Sequence, residues 1–199
     1  MDEKIVKDPL LKFWILNTVP TVDIKTTKRT DKIKILFNYT LADLLKKQKG
    51  RLHVDQCEQL MSDIHKQFIV LNKHHLTVAF FDINDIVIID KTYYFINDKK
   101  FFNSKSNYFT IKKLYNTEDP FLPYEMGNEQ SSISLPLKLH INSYIYSLAL
   151  LTLFCLFNTP FKTRSEALTI LNQIPGIELY WCLCRCLKIV PDERKLLFI

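Results

Sequence analysis

Residues 144–157 form one uninterrupted run of apolar and hydroxyl-bearing side chains, ended by Asn158 and Pro160. A helix that is apolar on every side must be enclosed by protein or by lipid, and length decides which. Fourteen residues fall short of the ~20 that a bilayer core requires. The run therefore predicts a fully buried helix, and no membrane span is expected. Such a helix needs amphipathic elements around it, and 199 residues suffice for one domain with a full core and little more.

The apolar share of 47%, with 24% charged and 13% aromatic residues, is that of a folded globular chain. Only three glycines occur, Gly50, Gly127 and Gly176, far apart. Loops of the G-x-G-x-x-G and G-x-x-x-x-G-K types need at least two within about six residues. Both are excluded. Five cysteines, an odd count, with no signal-peptide pattern in residues 1–11, point to free thiols in an intracellular, cytoplasmic setting. Cys182, Cys184 and Cys186 alternate in an apolar run. On a helix Cys182 and Cys186 share a face while Cys184 points elsewhere, and no C-x-x-C or H-x-x-x-H completes a tetrahedral set. They are read as core, and no metal ligand is assigned. A net charge of +6 with a pI near 9.0 suits nucleic acid, an anionic membrane or an acidic partner. The basic residues are scattered, and the densest stretch, 25–34, is mixed with Thr and Asp. A solvated face is the simpler reading, and nucleic acid is not the expected partner.

Along the chain, residues 10–16 and 33–39 read as strands, the second alternating Ile33, Ile35, Phe37 and Tyr39 against Lys34, Leu36 and Asn38. The polar stretch 18–31 between them suggests a hairpin. Residues 41–47 predict a short helix closed by Gly50. Asp55 and Glu58 look like a capping box, after which Cys57, Leu60, Met61, Ile64, Phe68 and Leu71 recur at helical spacing. That helix runs to His74 and His75, which suit the negative end of its dipole. Residues 78–81, 86–89 and 93–96 predict short buried strands, with tight turns at 82–85 and at Asp90 and Lys91. Irregular sequence fills 97–136, interrupted by a strand over 108–114. After the buried helix, helices are expected over 165–174, with Glu166 near its start, and over 178–189, ended by Pro191. The class is α+β, mostly α with small β elements.

The order of these parts resembles the C-terminal lobe of a eukaryotic-type protein kinase in degenerate form. Residues 36–45, strand then short helix, look like the last N-lobe strand, the hinge and the first C-lobe helix. Phe80, Phe81, Asp82 and Ile83 stand where the family has H-R-D-L, and the strands at 86–89 and 93–96 resemble the pair beneath its nucleotide. Phe121, Leu122, Pro123, Tyr124 and Glu125 stand where A-P-E ends the activation segment. Tyr144 to Leu148 is similar to the D-x-[WY]-S-L that opens the central buried helix, and Pro191 to Arg194 to the late D-P-x-x-R. The likeness covers residues 33–199. It divides the chain into residues 1–40, a short β-hairpin remnant of an N-lobe with its hinge, and 41–199, a kinase C-lobe-like helical domain. It also implies a buried structural ion pair between Glu125 and Arg194. The Asn, Lys, Ile and Phe-rich style resembles kinase-like proteins of large DNA viruses, whose setting is the host cell.

The chemistry that the resemblance implies can be followed residue by residue. Asp82 stands at the place of the catalytic Asp, as a remnant. Counted from it, the metal-holding Asn falls on Val87 and the Asp of D-F-G on Asn97, with Lys99 placing a positive charge beside the expected metal. A slip of one residue makes Asp98 the ligand instead. A hard cation seeks anionic oxygens, so neither ATP nor Mg²⁺ is an expected cofactor. Val22, Asp23, Ile24 and Lys25 imitate V-A-I-K, but the chain before Ile33 leaves no room for the helix whose Glu should pair with Lys25.

The reading is a non-catalytic kinase-like module, a pseudokinase, that acts by binding another protein. Loss of an N-lobe exposes an apolar surface of the kind that marks partner sites, with Phe13, Trp14 and Phe37 either covering it or belonging to the core. Two alternatives stand beside this. One is a divergent active kinase or phosphotransferase using Asp82 and Asp98 with ATP and Mg²⁺; the other is an unrelated basic helical protein that binds nucleic acid. Asp82 also has a plainer role open to it, capping a turn through its own backbone.

Overall fold

The computed structural model describes residues 2–6, 33–37, 39–113, 121–126, 135–161 and 163–198, with side chains from Phe37 onward except that of Asp98. Strands β1 (Asp2–Val6) and β2 (Ile33–Phe37) pair antiparallel, Asp2 opposite Phe37 and Val6 opposite Ile33. The partner of the alternating strand is thus the charged start of the chain. Residues 10–16, expected to fill that place, lie outside the described residues, as do Phe13, Trp14 and the stretch 22–25. A two-residue β3 (Tyr39–Thr40) leads straight into α1 (Leu41–Lys47). The Thr40 hydroxyl accepts the Asp43 N–H (3.2 Å) and the Asp43 carboxylate accepts the Thr40 N–H (3.0 Å), so two orphan amides are satisfied reciprocally. Gly50 then turns the chain at φ +87°, where a Cβ would collide with the Asn158 amide. Glycine alone fits there.

Helix α2 (Val54–Lys73) buries Cys57, Leu60, Met61, Ile64, Phe68 and Leu71. Its capping contact forms earlier than Asp55 and Glu58 suggested: Gln56 reaches back to accept the His53 N–H at 3.0 Å. Then come β4 (Leu76–Thr77), β5 (Ile86–Ile89), β6 (Thr92–Phe95), β7 (Phe102–Asn103), β8 (Tyr108–Ile111) and β9 (Leu137–His140). They make three small antiparallel sheets, β3-β5-β6, β4-β7 and β8-β9. The β5–β6 turn places Asp90 (φ 48°) and Lys91 (φ 67°) in the left-handed region, as a two-residue hairpin requires. Residues 78–81 are buried but form no strand. The Phe81 N–H donates to Ser147 Oγ at 2.9 Å, so its partner is a helix side chain in place of a neighbouring strand.

The apolar run is α3 (Ser143–Phe157), followed by α4 (Arg164–Leu171) and α5 (Glu178–Cys186). In α3 every residue from Ser143 to Leu153 is buried, and Asn158 ends it at φ 50°. No helix among the described residues is long and apolar enough to cross a membrane. Thr163 and Glu166 cap α4. Helix α5 ends at Cys186, before residue 189, and beyond it the Lys188 and Ile189 carbonyls accept from Arg194 (2.8 and 2.9 Å). Phe68, Phe81, Phe95 and Tyr144 stack and edge into one another where α2, α3 and β6 meet, with Phe68 and Tyr144 4.8 Å apart. A smaller cluster, including Phe80, Phe109, Leu122 and Leu139, lies under β8–β9. The architecture is a mixed α+β fold, helices packed on α3 with small sheets at one side.

The open edge of β6 is closed by polar side chains of α2 one turn apart. Gln67, fully buried, donates to the Phe95 carbonyl (2.8 Å) and accepts the Phe95 N–H (2.9 Å), while Asp63 accepts the Tyr93 N–H (3.1 Å). The helix thus does for this edge what another strand would do. On the same helix His65 meets the buried Tyr144 hydroxyl at 2.8 Å, and burial holds its pKa below the ordinary 6.5. The unfolded chain therefore binds this proton more readily than the native one. The His65 contribution to stability is complete above pH 6.5 and is lost as pH falls from there toward the lowered native value. His65→Gln should flatten the acid side of a urea-midpoint profile between neutral and mildly acid pH; an unchanged slope would show that His65 does not contribute.

Candidate functional site

The open end of the β5–β6 hairpin gathers the residues on which chemistry was expected. Ile86 faces Phe95 across the pair, and the Ile96 N–H donates to the Asp85 carbonyl at 2.9 Å, which brings Asp85 and Asn97 side by side. The Asp85 carboxylate is buried and accepts three donors. They are the Asp82 N–H (3.1 Å), Asn97 Nδ2 (2.6 Å) and the Lys100 ammonium (2.6 Å). Lys100 comes from a single 3₁₀ turn (Asp98–Lys100) that starts where Asn97 Oδ1 accepts the Lys99 N–H at 3.3 Å. Its Nζ also lies 4.5 Å from the centre of the Phe80 ring, a position that favours a cation.

Asp82 sits at the mouth of this cluster, partly exposed. Its Oδ1 accepts both the backbone N–H and the side-chain amide of Asn84 (2.7 and 2.8 Å), and its carbonyl accepts the Asp85 N–H (3.0 Å). That is the turn-capping role of an Asx turn. Val87, on which the count from Asp82 fell, is buried in β5 opposite Thr40 and Tyr94. The carboxylate that faces Asn97 is Asp85, two residues earlier, because the Ile96 N–H bonds the Asp85 carbonyl and so sets Asn97 beside Asp85. The signal was present in the chain: Asp85 immediately precedes the β-branched run. The cation is likewise Lys100, with Lys99 exposed. The Asp98 side chain lies outside the described residues. Among the described residues no group of three or more His, Cys, Asp or Glu could hold a metal ion.

A second polar centre joins the segment at 121–126 to the residues after α5. The Arg194 guanidinium, fully buried, donates to Glu125 Oε1 (2.9 Å) and Oε2 (2.7 Å) in a two-pronged pair. Two further donors go to the Lys188 and Ile189 carbonyls, and its face rests 5.0 Å from the Tyr146 ring centre. Ser143, at the start of α3, donates to Glu125 Oε1 at 2.8 Å. Asn142 donates to the Pro191 carbonyl at 3.2 Å, so the end of the chain is tied to the N-terminus of the buried helix. Beside it His140 Nε2 lies 3.0 Å from Asp192 Oδ1, off the hydrogen-bonding direction, and burial outweighs that carboxylate in keeping the imidazole pKa low.

All five cysteines are free. Burial pushes the Cys57 thiol up to about 12 and the Cys155 thiol upward as well, which makes both poor nucleophiles at neutral pH. Cys182 and Cys186 share the buried face of α5 and Cys184 is half-buried. His74 and His75 are exposed at the end of α2. No protein-family model matches the chain, and no curated protein matches it in sequence.

Proposed function

We propose that this chain is a non-catalytic protein kinase-like module, a C-lobe-like scaffold that acts by binding another protein. The observation that carries the proposal is the state of Asp85. Phosphoryl transfer on such a scaffold needs anionic oxygens turned toward magnesium. Here the buried carboxylate nearest that place is engaged by an ammonium, an amide and a backbone N–H, and its neighbour Asn97 carries no charge. Asp82, the remnant of the catalytic carboxylate, is spent on capping its own turn. The buried helix α3 and the pairing of Glu125 with Arg194 support the scaffold half of the reading, and they belong to folding rather than catalysis.

The binding half draws support from the surface of α5. Trp181 is 53% exposed and Leu197 47% exposed. Arg185, one turn after Trp181, donates to the Leu197 carbonyl at 2.5 Å and so ties the segment that carries Leu197 to α5. Exposed apolar groups gathered in this way mark partner surfaces.

The test is a melting curve with and without ATP and Mg²⁺, joined to recovery of a partner. Nucleotide at about a hundredfold over its Kd would stabilise the chain by about 2.7 kcal/mol, a rise of several degrees. No rise is expected. A partner recovered with the unaltered chain should be lost with Trp181→Ala at unchanged melting temperature. A rise with ATP and Mg²⁺ would overturn the non-catalytic half, and a partner held equally by Trp181→Ala would remove the surface assigned to it.

A further inference from the structure

We infer that Lys100 is a tethered counter-ion for Asp85, so that this end of the hairpin is built to be independent of metal. The charge argument stands on the geometry alone. A magnesium ion binds through one or two carboxylates and keeps several waters. The residues here do not fit that role, because the cluster already holds a cation. Lys100 Nζ is at ion-pair distance from Asp85 Oδ2 and also against the Phe80 ring. Asp85 Oδ1 is held by the Asn97 amide.

The placement of Lys100 is local and inexpensive. Asn97 accepts the Lys99 N–H and its carbonyl accepts the Lys100 N–H (3.2 Å), so one short turn delivers the ammonium to the carboxylate that the hairpin has just brought alongside. A lysine is suited to this, being a compact point charge on a flexible stem. The side chains of the pair are 21% and 7% exposed. Asp85 left without a cation would be a nearly buried charge, and buried charges demand partners. Lys100 is therefore a positioning residue: through Asp85 it clamps the turn at 82–85 to the segment after β6.

The experiment removes the charge and keeps the stem. In Lys100→Met the side chain still packs on Phe80, and the melting temperature is expected to fall by roughly 3 to 10 °C. Millimolar Mn²⁺ or Mg²⁺ should then restore much of that loss, whereas NaCl of equal ionic strength should not. The unaltered chain should be indifferent to both metals, and so should the double variant Lys100→Met with Asp85→Asn. Should Lys100→Met fold poorly, its refolding yield with and without Mn²⁺ reads the same effect, with Lys100→Arg as the charge-retaining control. A Lys100→Met melting temperature equal to that of the unaltered chain would overturn the inference. So would a loss that neither metal repairs, or an equal rise in the unaltered chain with metal alone. None of these arms contains ATP, so their outcome is distinct from that of the nucleotide test.

Discussion

Arg194→Ala is expected to destabilise the fold by about 3 to 5 kcal/mol, the range for breaking a buried ion pair from one side. The size follows from what is left behind. Among the described residues Glu125, 21% exposed, keeps the Ser143 hydroxyl, the Lys188 and Ile189 carbonyls lose the Arg194 donors, and the Tyr146 ring loses the cation against its face. Lys195, the next residue, is exposed, and Lys195→Ala should stay within about 0.5 kcal/mol of the unaltered chain. Urea unfolding of both variants checks this. Equal midpoints would mean that the pairing of Glu125 with Arg194 contributes nothing to stability.

The second large effect is expected from Gln67→Leu, at about 2 to 5 kcal/mol. Leucine is close to glutamine in size and more apolar, so a simple burial argument predicts a gain. The structure predicts the opposite sign, because the Gln67 amide satisfies both the N–H and the carbonyl of Phe95 at the edge of β6. Each backbone group left buried without a partner costs about 1 to 3 kcal/mol. Lys66→Leu, on an exposed neighbour in the same helix, should leave stability almost unchanged. Amide exchange gives a sharper reading: the Phe95 N–H should lose protection in Gln67→Leu well beyond the global change. A neutral or stabilising Gln67→Leu would show that the edge of β6 finds other partners.

These two residues illustrate how much of the molecule was legible in the chain. The burial of α3 followed from fourteen residues with no polar face, because a segment too short for a bilayer is hidden only by the protein around it. The apolar stripe from Cys57 to Leu71 and the hairpin turn at Asp90 and Lys91 were legible for similar reasons, since periodicity and turn chemistry act over a few residues. Arg194 and Glu125 were singled out through a resemblance, and the structure brings them to 2.7 Å. Gln67 was passed over. A glutamine in the middle of an amphipathic helix looks like a boundary residue until the strand it closes is in place.

The candidate site was partly misplaced for the same reason. Counting from Asp82 selected Val87 and Lys99, and the folded chain selected Asp85 and Lys100. Local composition and spacing were enough to establish a folded α+β chain, a buried central helix and a β5–β6 hairpin, since each depends on neighbours in sequence. Which carboxylate meets which cation depends on the length of one turn and on where the hairpin ends, and a shift of a single residue moves a side chain to the opposite face of a strand. Charge pairing of that kind acts between residues brought together through space, and it became visible once β5, β6 and the turn at Asp98 were packed against one another.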